Sequence, residues 1–195
     1  MNASWRSREN VVTTSAKNPP RRRRRAATVL VVLLAIVLAL YLAWAALLTT
    51  IQERAIFPGA WLPRQAVDGP TDPNVRQVWI TADDGSRVEA WLQPGAGRTA
   101  TSPGPAVIFF HGNAELIERR WGRMADYVRA GVSVLAVEYR GYGRSEGEPS
   151  EAALIADAVA FHDWLAQQPE VDAGAIVHHG FSIGGAVAAG LAAQR

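Results

Sequence analysis

The sequence predicts an α/β fold in which a mostly parallel sheet is covered by helices on both faces. Three short, largely apolar runs predict strands at 106–110, 132–137 and 175–179. In the two segments between them, apolar residues recur at the three- and four-residue intervals of one helix face: Ile117, Trp121, Met124 and Val128, then Leu154, Ala158, Phe161 and Leu165. Apolar strands that alternate with helices are typical of a parallel sheet buried on both sides.

Ahead of this domain, residues 26–48 form a 23-residue run without charge, rich in Leu, Val and Ala. As a helix it would be about 35 Å long, enough to cross a hydrocarbon core of about 30 Å. Five arginines at 21–25 directly precede the run, and Tyr41 and Trp44 suit the far membrane interface. The sequence therefore predicts a single-pass membrane protein with its N-terminus in the cytoplasm and its folded domain on the extracytoplasmic side.

A cleaved signal peptide is the alternative interpretation, because Ala43-Trp44-Ala45 resembles a cleavage site. The long polar segment before the apolar run, and the length of the run itself, favour an uncleaved signal-anchor. Residues 1–25 are polar, aperiodic and basic, which predicts a disordered cytoplasmic tail.

Composition excludes several classes of function. Residues 1–25 carry a net charge of +7, whereas the whole chain carries +2, so the rest of the chain is net negative. It shows no basic face for nucleic acid. There is no cysteine, which excludes disulfides, thiolate catalysis, cysteine-ligated metals and a lipidated cysteine anchor.

The remaining segments predict a connector and the start of the domain. Residues 49–74 hold four prolines and form a proline-rich connector, followed by a domain over 75–195. Two strands at 75–80 and 87–92 are joined by a turn at 82–86, which predicts a hairpin. Ser150 is placed to cap the helix that follows it.

The most informative motif is the G-x-S-x-G sequence around Ser182, at the junction of a predicted strand and helix. A serine nucleophile that projects from so tight a turn needs small residues two positions away on each side. Gly180 and Gly184 occupy those positions, and Gly185 continues the small-residue run into the helix. This pattern predicts a nucleophile elbow.

Two further motifs follow the other core strands, at the sheet edge where ligands bind in parallel α/β folds. They read FFHGNA at 109–114 and EYRGYGRSEGEP at 138–149. In this order the three motifs resemble those of the α/β-hydrolase family, and specifically its membrane-anchored serine hydrolases, which read HGNA, D-Y-R-G-Y-G-x-S-x-G-x-P-S and G-x-S-x-G-G. The resemblance covers residues 55–195, and Glu138 stands where the family usually has Asp.

The resemblance implies a serine esterase or peptidase with Ser182 as nucleophile. The backbone N–H groups of Asn113 and Ile183 would form the oxyanion hole that stabilises the tetrahedral intermediate. The resemblance also implies support of the elbow and its loop by His111, Gly112, Gly180, Gly184 and Gly185. It implies a small-molecule or lipid acyl substrate and neither a metal nor an organic cofactor.

A serine nucleophile needs a histidine held by a carboxylate. The four histidines are expected to be structural rather than catalytic: His111, His162, His178 and His179. The family's catalytic Asp and His and its last three strands have no counterpart, so we expect an N-terminal part of the fold, truncated after the elbow and inactive alone. Two alternatives are a truncated, inactive remnant and a non-catalytic scaffold of the same fold.

Overall fold

A computed structural model describes residues 21–58, 62 and 69–195. The chain divides into two compact units, Met1–Thr50 and Ile51–Arg195. Most of the predicted tail (residues 1–20) and part of the predicted connector (59–61 and 63–68) lie outside the described residues.

Helix α1 spans Arg21–Ile56 and includes the whole apolar run at 26–48. Its segment Arg22–Gln52 is long and apolar enough to cross a membrane, by length and composition. The helix extends beyond the apolar run into residues 49–56, which were predicted to belong to the connector.

The described residues of the second unit form a five-stranded sheet. Its strands are β1 (Arg76–Thr81), β2 (Arg87–Gln93), β3 (Gly104–Phe110), β4 (Ser133–Val137) and β5 (Val171–Gly180). They lie in the order β1-β2-β4-β3-β5. β1 and β2 form the predicted hairpin and are antiparallel, as are β2 and β4, whereas β3 runs parallel to both β4 and β5.

Helices cover both faces of the sheet, as predicted. The α4 helix (Glu151–Leu165) and α5 (Ile183–Ala192) pack on one face, and Ser150 caps α4 by accepting a hydrogen bond from the Ala153 N–H at 3.2 Å. The other face is covered by α2 (Ile117–Arg120), a 3₁₀ turn (Trp121–Met124) and α3 (Ala125–Arg129).

The first predicted core helix buries the apolar face that its sequence predicts, but it is not one continuous α-helix. Ile117, Trp121, Met124 and Val128 all pack into the same core, yet the helix changes to 3₁₀ geometry at Trp121. The Trp121 ring meets the Trp91 ring edge to face at a centroid distance of 5.5 Å. This tertiary contact coincides with the change in helix geometry, and local periodicity could not reveal it.

Strand β5 differs most from the expectation of a strand buried on both faces. It pairs with β3 alone among the described strands, and the Val177 side chain is 61% exposed. It also begins at Val171, earlier than the predicted residue 175, with a register irregularity opposite Gly104 and Ala106.

Candidate active site

The turn between β5 and α5 holds Ser182 in a strained conformation. Ser182 has φ 56° and ψ −120° and is the one non-glycine residue with positive φ in the described part of the chain. Such a conformation costs about 1–3 kcal/mol for a residue with a side chain, and it recurs at functional sites. The geometry matches the sharp strand-to-helix turn that the sequence predicts.

Two glycines make this turn possible because backbone atoms occupy the space of their missing side chains. A Cβ on Gly180 would lie 2.0 Å from the Gly184 carbonyl oxygen. A Cβ on Gly184 would lie 2.2 Å from the Phe110 carbonyl oxygen. At Gly185 the nearest atom would be 3.9 Å away, so that position has room for a methyl group.

The loop after β3 lies against this turn, as the predicted adjacency of parallel strands requires. Phe110 is in register with Gly180, and the Phe181 N–H donates to the Phe110 carbonyl oxygen at 3.0 Å. A Cβ on Gly112 would lie 3.0 Å from the Phe181 ring. The first and third motifs therefore meet at the carboxyl ends of β3 and β5.

Two backbone donors in these segments are free. In the described residues neither the Asn113 N–H nor the Ile183 N–H has a hydrogen-bond partner. The Asn113 side chain, by contrast, is held at both ends of its amide: its Oδ1 accepts from the Tyr142 hydroxyl at 2.7 Å and its Nδ2 donates to the Ile56 carbonyl oxygen. The anchored side chain holds the residue while leaving its backbone N–H available.

His111 and Glu138 lie beneath the loop and are buried, with 0% and 1% of their surfaces exposed. His111 Nε2 is 2.6 Å from Glu138 Oε1, and its Nδ1 is 2.8 Å from the Gly112 carbonyl oxygen. The Tyr139 hydroxyl donates to the His111 carbonyl oxygen at 2.7 Å. His111 therefore contacts two segments, the loop after β3 and the end of β4.

Glu115 supports the same loop and was not singled out by the sequence. Its Oε2 accepts from the Gly112 N–H at 3.1 Å, and its carboxylate pairs with Arg120. Partial burial alone would raise the pKa of Glu115, but the hydrogen bonds from Arg120 and Gly112 outweigh it and lower the pKa. The Arg120 guanidinium lies 4.4 Å from the centre of the Phe181 ring, which connects this pair to the elbow.

Comparison with known proteins agrees with this geometry. A model of the S15 family, X-Pro dipeptidyl-peptidase, matches residues 6–195. The chain belongs to this family. It is an α/β-hydrolase, and the fold that the sequence motifs predicted is confirmed.

Relatives of this S15-family chain are longer than the chain itself. Rv2307c of Mycobacterium tuberculosis is 42% identical over 123 residues, which cover 63% of this chain and 43% of the relative. The α/β-hydrolase domain-containing protein WAV2 of Arabidopsis thaliana is 34% identical over 155 residues, which cover 76% of this chain and 49% of WAV2. The crystal structure of an α/β-hydrolase from Vibrio vulnificus matches with a TM-score of 0.60 and 26% identity, and the match covers 75% of this chain and 53% of that protein. The chain thus spans about half the length of each of these three proteins.

In this S15-family chain the histidines are engaged away from Ser182. His179 Nδ1 pairs with the Tyr127 hydroxyl at 2.9 Å, and the His162 and His178 rings meet edge to face at 5.3 Å. Among the described residues, no histidine or carboxylate makes a hydrogen bond to the Ser182 hydroxyl. His178 Nε2 is buried without a hydrogen-bond partner in the same set of residues, an unsatisfied group that the sequence did not predict.

A mostly apolar pocket of about 330 Å³ lies beside the start of α5. It is lined by Gln52, Ile56, Phe57, Glu151, Leu154, Ile155, Ile183, Ala186 and Val187. Within the described segments, no group of three or more His, Asp or Glu side chains is arranged to hold a metal ion.

Proposed function

We propose that this hydrolase is a membrane-anchored serine hydrolase that cleaves acyl ester or amide bonds with Ser182 as nucleophile. The observation that carries the proposal is the strained backbone of Ser182, held in a turn that backbone contacts at Gly180 and Gly184 restrict to glycine. Strained backbone conformations recur at functional sites, and a nucleophilic serine that projects from a sharp strand-to-helix turn is one such case.

In the proposed reaction the Ser182 hydroxyl oxygen attacks the substrate carbonyl carbon. The negative charge that develops on the carbonyl oxygen accepts hydrogen bonds from the Asn113 and Ile183 N–H groups. Two observations support this assignment: both groups lack a protein partner among the described residues, and their segments lie side by side. Gly112, Gly185 and His111 belong to the supporting turn and loop.

The proton of the Ser182 hydroxyl must pass to a base, which in this chemistry is a histidine oriented by a carboxylate. His111 and His179 are bonded elsewhere, and His162 and His178 pack on each other. Because the chain spans about half the length of its relatives, we place this histidine and carboxylate in the other half of the protein. The described residues would then be inactive alone.

We propose a small-molecule or lipid acyl substrate. The pocket beside α5 supports an apolar acyl group, since seven of its nine lining residues are apolar and one of them, Ile183, carries a proposed oxyanion donor. Pockets for small ligands are commonly about 300–1,000 Å³, so its size is sufficient. The family description, X-Pro dipeptidyl-peptidase, makes a peptide amide the other substrate class to test.

We also propose that α1 anchors the enzyme as a single-pass segment. The uncharged run at 26–48 and the arginines at 21–25 support a cytoplasmic N-terminus and an extracytoplasmic hydrolase unit, joined by the connector at 49–74.

The test is hydrolysis of p-nitrophenyl esters and an X-Pro p-nitroanilide by the protein expressed from its whole coding sequence in detergent. Ser182→Ala is expected to lower kcat/KM at least 1,000-fold, because the triad's nucleophile is lost. Ser150→Ala is the matched control: it removes the cap of α4 and leaves the rate unchanged. Equal rates for Ser182→Ala and the unmodified enzyme would refute the proposal.

A further inference from the structure

The peptide group between Gly112 and Asn113 carries both the Gly112 carbonyl and the Asn113 N–H. Because a peptide group is planar and this one is trans, fixing the carbonyl also fixes the direction of the N–H. His111 Nδ1 lies 2.8 Å from that carbonyl oxygen. A carbonyl oxygen only accepts, so Nδ1 is the donor. The His111 ring therefore sets where the Asn113 N–H points.

The other ring nitrogen of His111 faces the Glu138 side chain. Glu138 Oε1 lies 2.6 Å from Nε2 and also accepts from the Tyr139 N–H at 3.3 Å. Glu138 Oε2 accepts from the Ile117 N–H at 3.1 Å. Glu138 thus joins the His111 ring to the backbone at the end of β4 and at the start of α2, and both side chains of the pair are buried.

The chain around Glu138 is built to hold this carboxylate. A Cβ on Gly143 would lie 2.8 Å from Glu138 Oε2, and Gly143 has φ 51°. The turn that follows β4 therefore closes directly over the carboxylate, and only glycine fits there without strain. The same turn supplies Tyr142, whose hydroxyl holds the Asn113 side chain.

We infer that Glu138 is a positioning residue: acting through His111, it orients the Asn113 N–H toward the substrate oxyanion. The inference rests on the proposed function and adds a residue to it. An amide at position 138 cannot replace the carboxyl group, because its NH₂ group would face the Tyr139 N–H at the Oε1 position or the Ile117 N–H at the Oε2 position. One of these two backbone contacts is lost in either orientation.

The test combines a rate and a spectrum on the full-length protein in detergent. Glu138→Gln is expected to slow fluorophosphonate labelling of Ser182 about 100-fold, as does the loss of one oxyanion donor. The matched control is Glu89→Gln, which changes a carboxylate that is equally buried at 1% but bonds to Trp91, Gln77 and Arg144 rather than to His111. Its labelling rate is expected to stay unchanged. In the unmodified protein, the ¹⁵N resonance of His111 Nδ1 is expected to be that of a protonated nitrogen, because Nδ1 faces a carbonyl oxygen.

Three results have distinct meanings. Equal labelling rates in Glu138→Gln and the unmodified protein would overturn the positioning role and leave Ser182 as nucleophile. A His111 ring without a proton on Nδ1 would overturn it as well, and this measurement decides the matter if Glu138→Gln does not fold. No labelling of the unmodified protein would instead overturn the proposed function.

Discussion

Gly184→Ala tests whether close backbone approach builds the elbow. The new Cβ would lie 2.2 Å from the Phe110 carbonyl oxygen and 2.7 Å from that of His111, whereas ordinary contact begins at 3.4 Å. Both atoms are backbone, so β3 and α5 must separate by more than 1 Å to admit the methyl group. Overpacking of this kind costs about 1–3 kcal/mol, and we expect about 3 kcal/mol because no flexible side chain can yield.

The neighbouring glycine provides the control. A Cβ on Gly185 would have its nearest contact at 3.9 Å, so Gly185→Ala adds the same methyl group one residue along the same helix without a clash. Because alanine favours helix over glycine, we expect a gain of about 0.5–1 kcal/mol.

The assay is thermal unfolding followed by near-ultraviolet circular dichroism in detergent. A loss of 3 kcal/mol corresponds to a fall in Tm of about 6–12 °C for a unit of this size. We also expect Gly184→Ala to slow labelling of Ser182, since the loop and the elbow move apart. A Tm for Gly184→Ala equal to or above that of Gly185→Ala would refute the close-packing argument.

Three further predictions concern strain, a buried ion pair and pH. Ser182→Gly should be about 1 kcal/mol more stable to urea than Ser182→Ala, since glycine relieves the positive-φ strain; equal stability would exclude such strain. Arg140→Ala should lower the free energy of unfolding by about 3–5 kcal/mol, because Asp157, which is only 4% exposed, loses the two hydrogen bonds from the Arg140 guanidinium. A loss below about 1 kcal/mol in a urea titration would contradict this. Burial, followed by the neighbouring His162, lowers the pKa of His178 below its ordinary 6.5. The unfolded chain then binds more protons, so Tm should fall as pH drops below about 6.5, less steeply in His178→Gln; identical pH profiles would count against this.

Those parts of the site that depend on local spacing could be predicted from the sequence. The G-x-S-x-G spacing identified Gly180 and Gly184, and the structure gives the reason, since each lies against backbone atoms. The cap at Ser150 and the apolar face of α4 are also local features, and both are as predicted.

Contacts between distant segments could not be predicted in this way. Tyr142 and Asn113 are 29 residues apart, and nothing in either motif indicates that one holds the other. Glu115 and Arg120 read as an ordinary surface pair of a helix start, yet they bind the Gly112 N–H and cover Phe181. Such pairings arise only when the sheet order brings β3, β4 and β5 together.

Covalent labelling decides whether Ser182 is the nucleophile. The protein expressed from its whole coding sequence is incubated with a fluorophosphonate. Its intact mass is then measured by mass spectrometry, and the modified residue is located by peptide mapping. We expect a single adduct, located on Ser182 and absent from Ser182→Ala. No adduct on a folded protein, or an adduct on another residue, would contradict it.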